Sequence, residues 1–147
     1  MAKIREKSRA LLTAGAVLLP LFGCTGHPST PTGPVLDVKV KDFKIEPSLS
    51  EVENGLVTLR VWNEGPTTHE FVVIRSDLAA DELPIGADGL SVDEDRVVPL
   101  DELSEVGAGA SSELTLALSA GQYVLFCNFE GHYLAGMNAS VEVTNDV

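Results

Sequence analysis

Residues 122–144 read QYVLFCNFEGHYLAGMNASVEVT, a strand, a loop and a second strand. Tyr123, Leu125 and Cys127 share one parity; Met137, Ala139, Val141 and Val143 share another. Apolar residues that recur every second position mark strands with one face turned inward. Cys127 and Met137 therefore sit at the facing ends of two inward rows, and His132 lies in the loop between them, a C-x4-H-x4-M spacing. About 60 residues upstream, His69 opens the run HEFVVIR and shares parity with Phe71 and Val73. Three donors thus meet at one end of the fold, and His69 can join them from a neighbouring strand.

The same alternation runs outward along the chain. Leu36, Val38 and Val40 form one row, Val57, Leu59 and Val61 a second, and Leu114, Leu116 and Leu118 a third. Turn residues separate the runs at Asn54-Gly55, Glu64-Gly65-Pro66, Gly107-Ala108-Gly109 and Ala120-Gly121. Many short strands with no long helical period predict an all-β sandwich or barrel. Residues 76–106 break the rhythm, with ten Asp and Glu residues from Asp77 to Glu105 against Arg96 alone. They are expected to form an acidic insertion, either a solvated loop with one helical turn near Asp77–Leu83 or an acidic docking face.

Cysteine, two histidines and a methionine are the donors of a trigonal His₂Cys copper site with a weak axial thioether. The thiolate is soft, imidazole suits both copper oxidation states, and the thioether leans toward Cu(I). Each residue alone has a plainer reading. Cys127 could be a small buried apolar residue, His69 a strand-end polar residue, Met137 core and His132 surface decoration. Four such coincidences at this spacing are what the copper reading replaces. The chain has only two Met, one of them Met1, and only two Cys. Zinc fits less well, because its structural sites use paired Cys or His spacings and rarely thioether sulfur. A binuclear copper centre needs a second loop cysteine, and a multicopper oxidase or nitrite reductase needs more histidines than His27 supplies. A cysteine hydrolase lacks its general base here. The chain is therefore read as a non-enzyme.

CNFEGHYLAGM after a YVLFC strand, with an upstream histidine in GPTTHEFVV, resembles the cupredoxin, or blue copper, family over residues 35–147. The spacing resembles the rusticyanin and sulfocyanin branch more than plastocyanin, whose Cys-to-His interval is shorter. The resemblance implies a Greek-key sandwich, one copper ion cycling between Cu(I) and Cu(II), and one-electron transfer. By position it implies His69, Cys127 and His132 as equatorial ligands and Met137 as the axial one. It also implies a His132 edge near the surface, ringed by Gly131, Tyr133, Leu134, Ala135 and Pro66. One departure stands out: Glu70 follows the upstream histidine where many family members have Asn or Ser. A carboxylate there either turns to solvent or alters hydrogen bonding around the metal.

The N-terminus has the form of an export signal. Lys3, Arg5, Lys7 and Arg9 precede the uncharged run ALLTAGAVLLPLF, and the segment ends Leu21-Phe22-Gly23-Cys24. That ending resembles the lipobox of bacterial lipoproteins, which implies lipidation at Cys24 and removal of residues 1–23. An ordinary signal peptide or an uncleaved anchor is the plainer reading. Residues 24–34 then form a tether, with His27 incidental, and 35–147 the domain. Loss of residues 1–23 takes away four bases and Glu6, leaving 6 basic against 21 acidic side chains, a net of −15. Such acidity excludes simple electrostatic binding to nucleic acid or anionic lipid. The expected protein is a monomeric electron carrier outside the cytoplasm, held at a membrane by acyl chains, with a redox donor and acceptor such as a basic cytochrome or oxidase. A copper delivery or buffering protein and a metal-free adhesion or assembly lipoprotein are the alternatives.

Overall fold

The alternating apolar positions become the inner faces of two packed sheets in the computed structural model, which describes residues 33–145. The leader, Cys24, His27 and most of the tether lie outside the described residues. In chain order the strands are β1 (Val35–Lys41), β2 (Lys44–Pro47), β3 (Glu51–Glu53), β4 (Gly55–Asn63), β5 (His69–Arg75), β6 (Pro99–Val106), β7 (Ser111–Leu118), β8 (Gly121–Phe126) and β9 (Asn138–Thr144). One sheet has the order β2-β1-β4-β7 and the other β3-β9-β8-β5-β6. The parallel pairs β1/β4 and β3/β9 are crossovers within otherwise antiparallel ladders, giving the expected all-β Greek-key sandwich. Among the described residues no helix is long and apolar enough to cross a membrane.

The inward rows are as the periodicity predicts. Leu36, Val38, Val40, Val57, Leu59 and Val61 pack from the first sheet against Phe71, Val73, Tyr123, Leu125, Val141 and Val143 of the second, with Cys127 and Met137 joining them from the ends of the β8–β9 loop. The last strand begins at Asn138, so Met137 closes the preceding loop while keeping its inward parity.

The acidic insertion needs correction at both ends. Its last eight residues are β6, an edge strand paired with β5. No helix forms over residues 77–83; the one helical turn is a 3-10 turn at Glu94–Arg96, capped by the Asp93 side chain. The remaining loop is not merely solvated. Leu83 and Val92 are buried with Val72, Ile74, Val124, Phe126 and Tyr133 in a second apolar cluster, on the outer face of the β5–β8 pair. Both faces of these two strands are therefore covered, which explains why HEFVVIR and QYVLFC are apolar at both parities.

Tyr133 fastens this cap. Its hydroxyl donates to the Ala80 carbonyl at 2.8 Å and accepts from the Leu83 N–H at 2.8 Å, and its ring meets Phe126 edge to face. Tyr133→Phe leaves the buried Leu83 N–H unpaired and should destabilise the fold by about 1–3 kcal/mol. Urea unfolding should show a lower midpoint with an unchanged slope. An unchanged midpoint would mean the hydroxyl does not pin the loop.

Candidate metal centre

Three chain segments converge at one pole of the sandwich. His69 is the first residue of β5, and the segment before it is held by Asn63, the buried last residue of β4. Asn63 Nδ2 donates to the carbonyls of Thr67 at 2.6 Å and Val106 at 2.8 Å, and its Oδ1 accepts from the Gly65 N–H at 2.9 Å. The position of His69 is thus set by one side chain that ties together backbone groups from the ends of β4 and β6 and from the segment leading into β5.

Cys127 follows β8, and the loop from it to β9 folds back on itself. The Cys127 N–H donates to the Met137 carbonyl at 3.1 Å, and the Met137 N–H donates to the His132 carbonyl at 3.1 Å. Within the loop, His132 N–H reaches Phe129 and Ala135 N–H reaches Gly131. Gly131 (φ 78°) and Gly136 (φ 98°) take the left-handed turns that immediately precede His132 and Met137. The cap adds external ties: the Val92 N–H donates to Asn128 Oδ1 at 2.7 Å, and the Gly131 N–H to the Leu90 carbonyl at 2.9 Å.

The ligand atoms of His69, Cys127 and His132 lie within 4.8 Å of one another. Cys127 Sγ is 3.5 Å from His132 Nδ1, and the two imidazole rings are 5.3 Å apart, centroid to centroid. His69 and Cys127 are fully buried, and His132 is half-buried. Met137 is also fully buried, in the same core cluster, with its backbone bonded to both Cys127 and His132.

Burial pushes the Cys127 thiol up, and hydrogen bonds from the backbone N–H groups of Phe129 and Glu70 draw it partly back. These same donors stabilise a thiolate once a cation compensates it. Burial, and then the neighbouring His132, hold His69 below the usual histidine range, against the opposing pull of Asp42. A neutral imidazole is the ligating form.

The Glu70 departure resolves in an unexpected way. The Glu70 backbone N–H draws the Cys127 thiol down, while the charge of its carboxylate pushes the thiol up. Its half-buried carboxyl is pushed up to about 7, first by burial and then by Glu102 and Glu94.

A metal fits these residues on the structure's own terms. Among the described residues, His69 Nδ1 is a buried polar atom with no hydrogen-bond partner. Buried polar nitrogens are rarely left so, and a bound ion is one ordinary explanation. One soft thiol and two imidazoles suit copper better than a hard cation.

Two surroundings differ from expectation. Tyr133 is buried in the second cluster and takes no part in an exposed rim. Phe43, which the sequence did not single out, stands over His132 with ring centroids 5.3 Å apart and is itself 51% exposed. Leu134 and Ala135, which follow in the same loop, are exposed, as is Pro66.

A two-sheet sandwich with a buried cysteine and two histidines gathered at one pole defines a small copper-binding β-protein. The chain matches the family model of the cupredoxin-like domain over residues 12–137 and belongs to that family. Its fold is similar to dithionite-reduced auracyanin from the photosynthetic bacterium Roseiflexus castenholzii, at 21% identity, TM-score 0.54, covering 75% of this chain and 96% of that one. It is similar to auracyanin B at 23% identity, TM-score 0.54, covering 78% and 91% respectively. It is also similar to rusticyanin from Thiobacillus ferrooxidans at 16% identity, TM-score 0.53, covering 77% and 79%. No curated protein sequence matches significantly. Family and donor set together make His69, Cys127 and His132 a potential site for one copper ion.

Proposed function

We propose that the protein carries single electrons outside the cytoplasm, with His69, Cys127 and His132 as the strong copper ligands and Met137 as the weak axial one. The observation that carries this reading is the enclosure of the site. Two of the three strong donors have no exposure, and all are held by strand ends and a loop tied through its backbone. A delivery protein needs ligands that a recipient can reach and displace. A carrier needs donors that hold still while the charge on the ion changes. Copper, when bound, supplies the one-electron couple. The thiolate and imidazoles compromise between the preferences of its two oxidation states, and the apolar packing keeps water from the site.

His132 is the route to the surface in this reading, because it alone of the three is half-buried. Phe43 and Leu134 then form the apolar contact for a redox partner. The net charge of −15 after loss of residues 1–23 favours a basic one, through an attraction that weakens with salt. The lipobox-like Leu21-Phe22-Gly23-Cys24 supports lipidation at Cys24 and a membrane tether, with the domain facing away from the cytoplasm.

Voltammetry of the copper-loaded protein tests the carrier reading. A reversible one-electron wave is expected, with slow copper loss to a chelator. Rapid loss without a stable couple would favour delivery or buffering. Met137→Leu should keep the copper and raise the potential, because a long axial thioether does little to hold Cu(I), and an apolar side chain in its place leaves a drier site that disfavours the more highly charged Cu(II) in preference to Cu(I). A tenfold change in that preference is about 59 mV for one electron. An unchanged potential would remove Met137 from the site.

A further inference from the structure

We propose that Asp42 is a positioning residue for the copper site, holding the His69 ring with Nε2 protonated and Nδ1 turned to the metal, and favouring the oxidised ion through its charge. The inference rests on the copper reading above. Asp42 belongs to the turn between β1 and β2, in the sheet opposite to His69, so the contact bridges the two sheets at the copper pole. Its Oδ1 lies 3.3 Å from His69 Nε2. The Thr67 hydroxyl donates to the same Oδ1 at 2.5 Å and lies 3.4 Å from Nε2.

The proton count fixes the tautomer. A hydroxyl has one proton, and that of Thr67 is given to Asp42. Only lone pairs are left to face the ring, and a carboxylate offers only lone pairs. Both neighbours of Nε2 are therefore acceptors, and Nε2 must carry the hydrogen. A neutral imidazole has one N–H, so Nδ1 keeps its lone pair. Nδ1 is the buried atom that has no partner among the described residues. The outer contact thus accounts for the unpaired inner nitrogen.

Local structure is arranged around this carboxylate. The Lys41/Lys44 pair leaves only Asp42 and Phe43 to make the turn. Phe43 adopts φ 60°, a left-handed conformation that is unfavourable for a bulky side chain and persists where surrounding contacts impose it. That conformation accompanies the placement of Asp42 on one histidine and the Phe43 ring on the other. On the far side, a Cβ on Gly65 would come within 3.1 Å of both Asp42 N and Oδ1, so the glycine leaves the space that the carboxylate fills. A carboxylate on the outer nitrogen of a ligating histidine orients the ring and raises its basicity, and its loss typically weakens metal binding about 10- to 100-fold.

The test compares Asp42→Asn, which keeps an acceptor but removes the charge, with Asp42→Ala, which removes both. Glu46→Gln is the control, because the Glu46 carboxylate lies in the same hairpin but is held by Lys41 and Lys44. Wild type is first titrated with Cu(II); no uptake there defeats the copper reading itself, and this proposal with it. Given uptake, both Asp42 variants should keep the visible band and bind Cu(II) about 10- to 100-fold more weakly. Confined to the oxidised state, that is a rise in potential of about 59 to 118 mV. Glu46→Gln should shift it much less. Nitrogen NMR of the diamagnetic Cu(I) form should show an Nε2-protonated His69 in wild type and Asp42→Asn. A wild-type ring protonated at Nδ1 would overturn the proposal whether or not the variants fold. So would Asp42 variants whose potentials move no further than that of Glu46→Gln.

Discussion

Cys127→Ser should lose the intense visible absorption of the copper-loaded protein completely. That absorption is a charge transfer from thiolate sulfur to Cu(II), and a serine hydroxyl is too hard and too weakly donating to replace it. The fold should survive the change. Ser is close to Cys in size, and its oxygen can accept the backbone N–H groups of Phe129 and Glu70 that now face the sulfur. Burying a hydroxyl in the core should lower stability by about 1–3 kcal/mol. Copper affinity should collapse with the colour, since only two imidazoles, one of them the half-buried His132, and the weak Met137 thioether remain. Cys24→Ser is the matching control and should keep the full band. A blue Cys127→Ser protein, or a colourless Cys24→Ser protein, would mean that the wrong sulfur has been assigned.

Copper should also raise the thermal stability strongly. The folded chain gathers three donors that an unfolded chain does not, so metal binding favours the native state. At free copper a thousandfold above the dissociation constant, the gain is about 4 kcal/mol. For a domain of this size that corresponds to a rise of roughly 10 °C or more in Tm. Part of the effect has a visible origin. His69 Nδ1 is buried without a partner, and an unsatisfied buried polar group destabilises by about 1–3 kcal/mol, which a metal bond would relieve. The increment should disappear with a chelator, and Cys127→Ser should show little of it. Calorimetry with equal Tm values for metal-loaded and chelator-treated wild type would contradict the shared-ligand geometry.

Much of this was legible from residue order. The strict parity of Leu36, Val38 and Val40, and of Val57, Leu59 and Val61, specified inner faces because each of those strands is covered on one side only. The gathering of His69, Cys127 and His132 was legible because a strand end and a short loop leave little freedom for where such side chains can go. Other parts depended on contacts distant in sequence. β6 reads as polar, since an edge strand with exposed acids has no apolar alternation to display. Tyr133 looked like surface because it follows His132, but its hydroxyl finds Ala80 and Leu83 some 50 residues away. A signal for the covering cap was present: Val72, Ile74, Val124 and Phe126 are apolar at the parity that should face water. Asp42 and Phe43 gave no such hint, because an acid and an aromatic in a two-residue turn reveal nothing until the opposite sheet is in place.

The most direct measurement of the central claim is an optical titration of the purified protein with Cu(II). One intense visible band should grow linearly, stop at one equivalent of copper, bleach on reduction and return on reoxidation. A protein that gains no such band, or whose band keeps rising past one equivalent, does not hold a single ion between His69, Cys127 and His132.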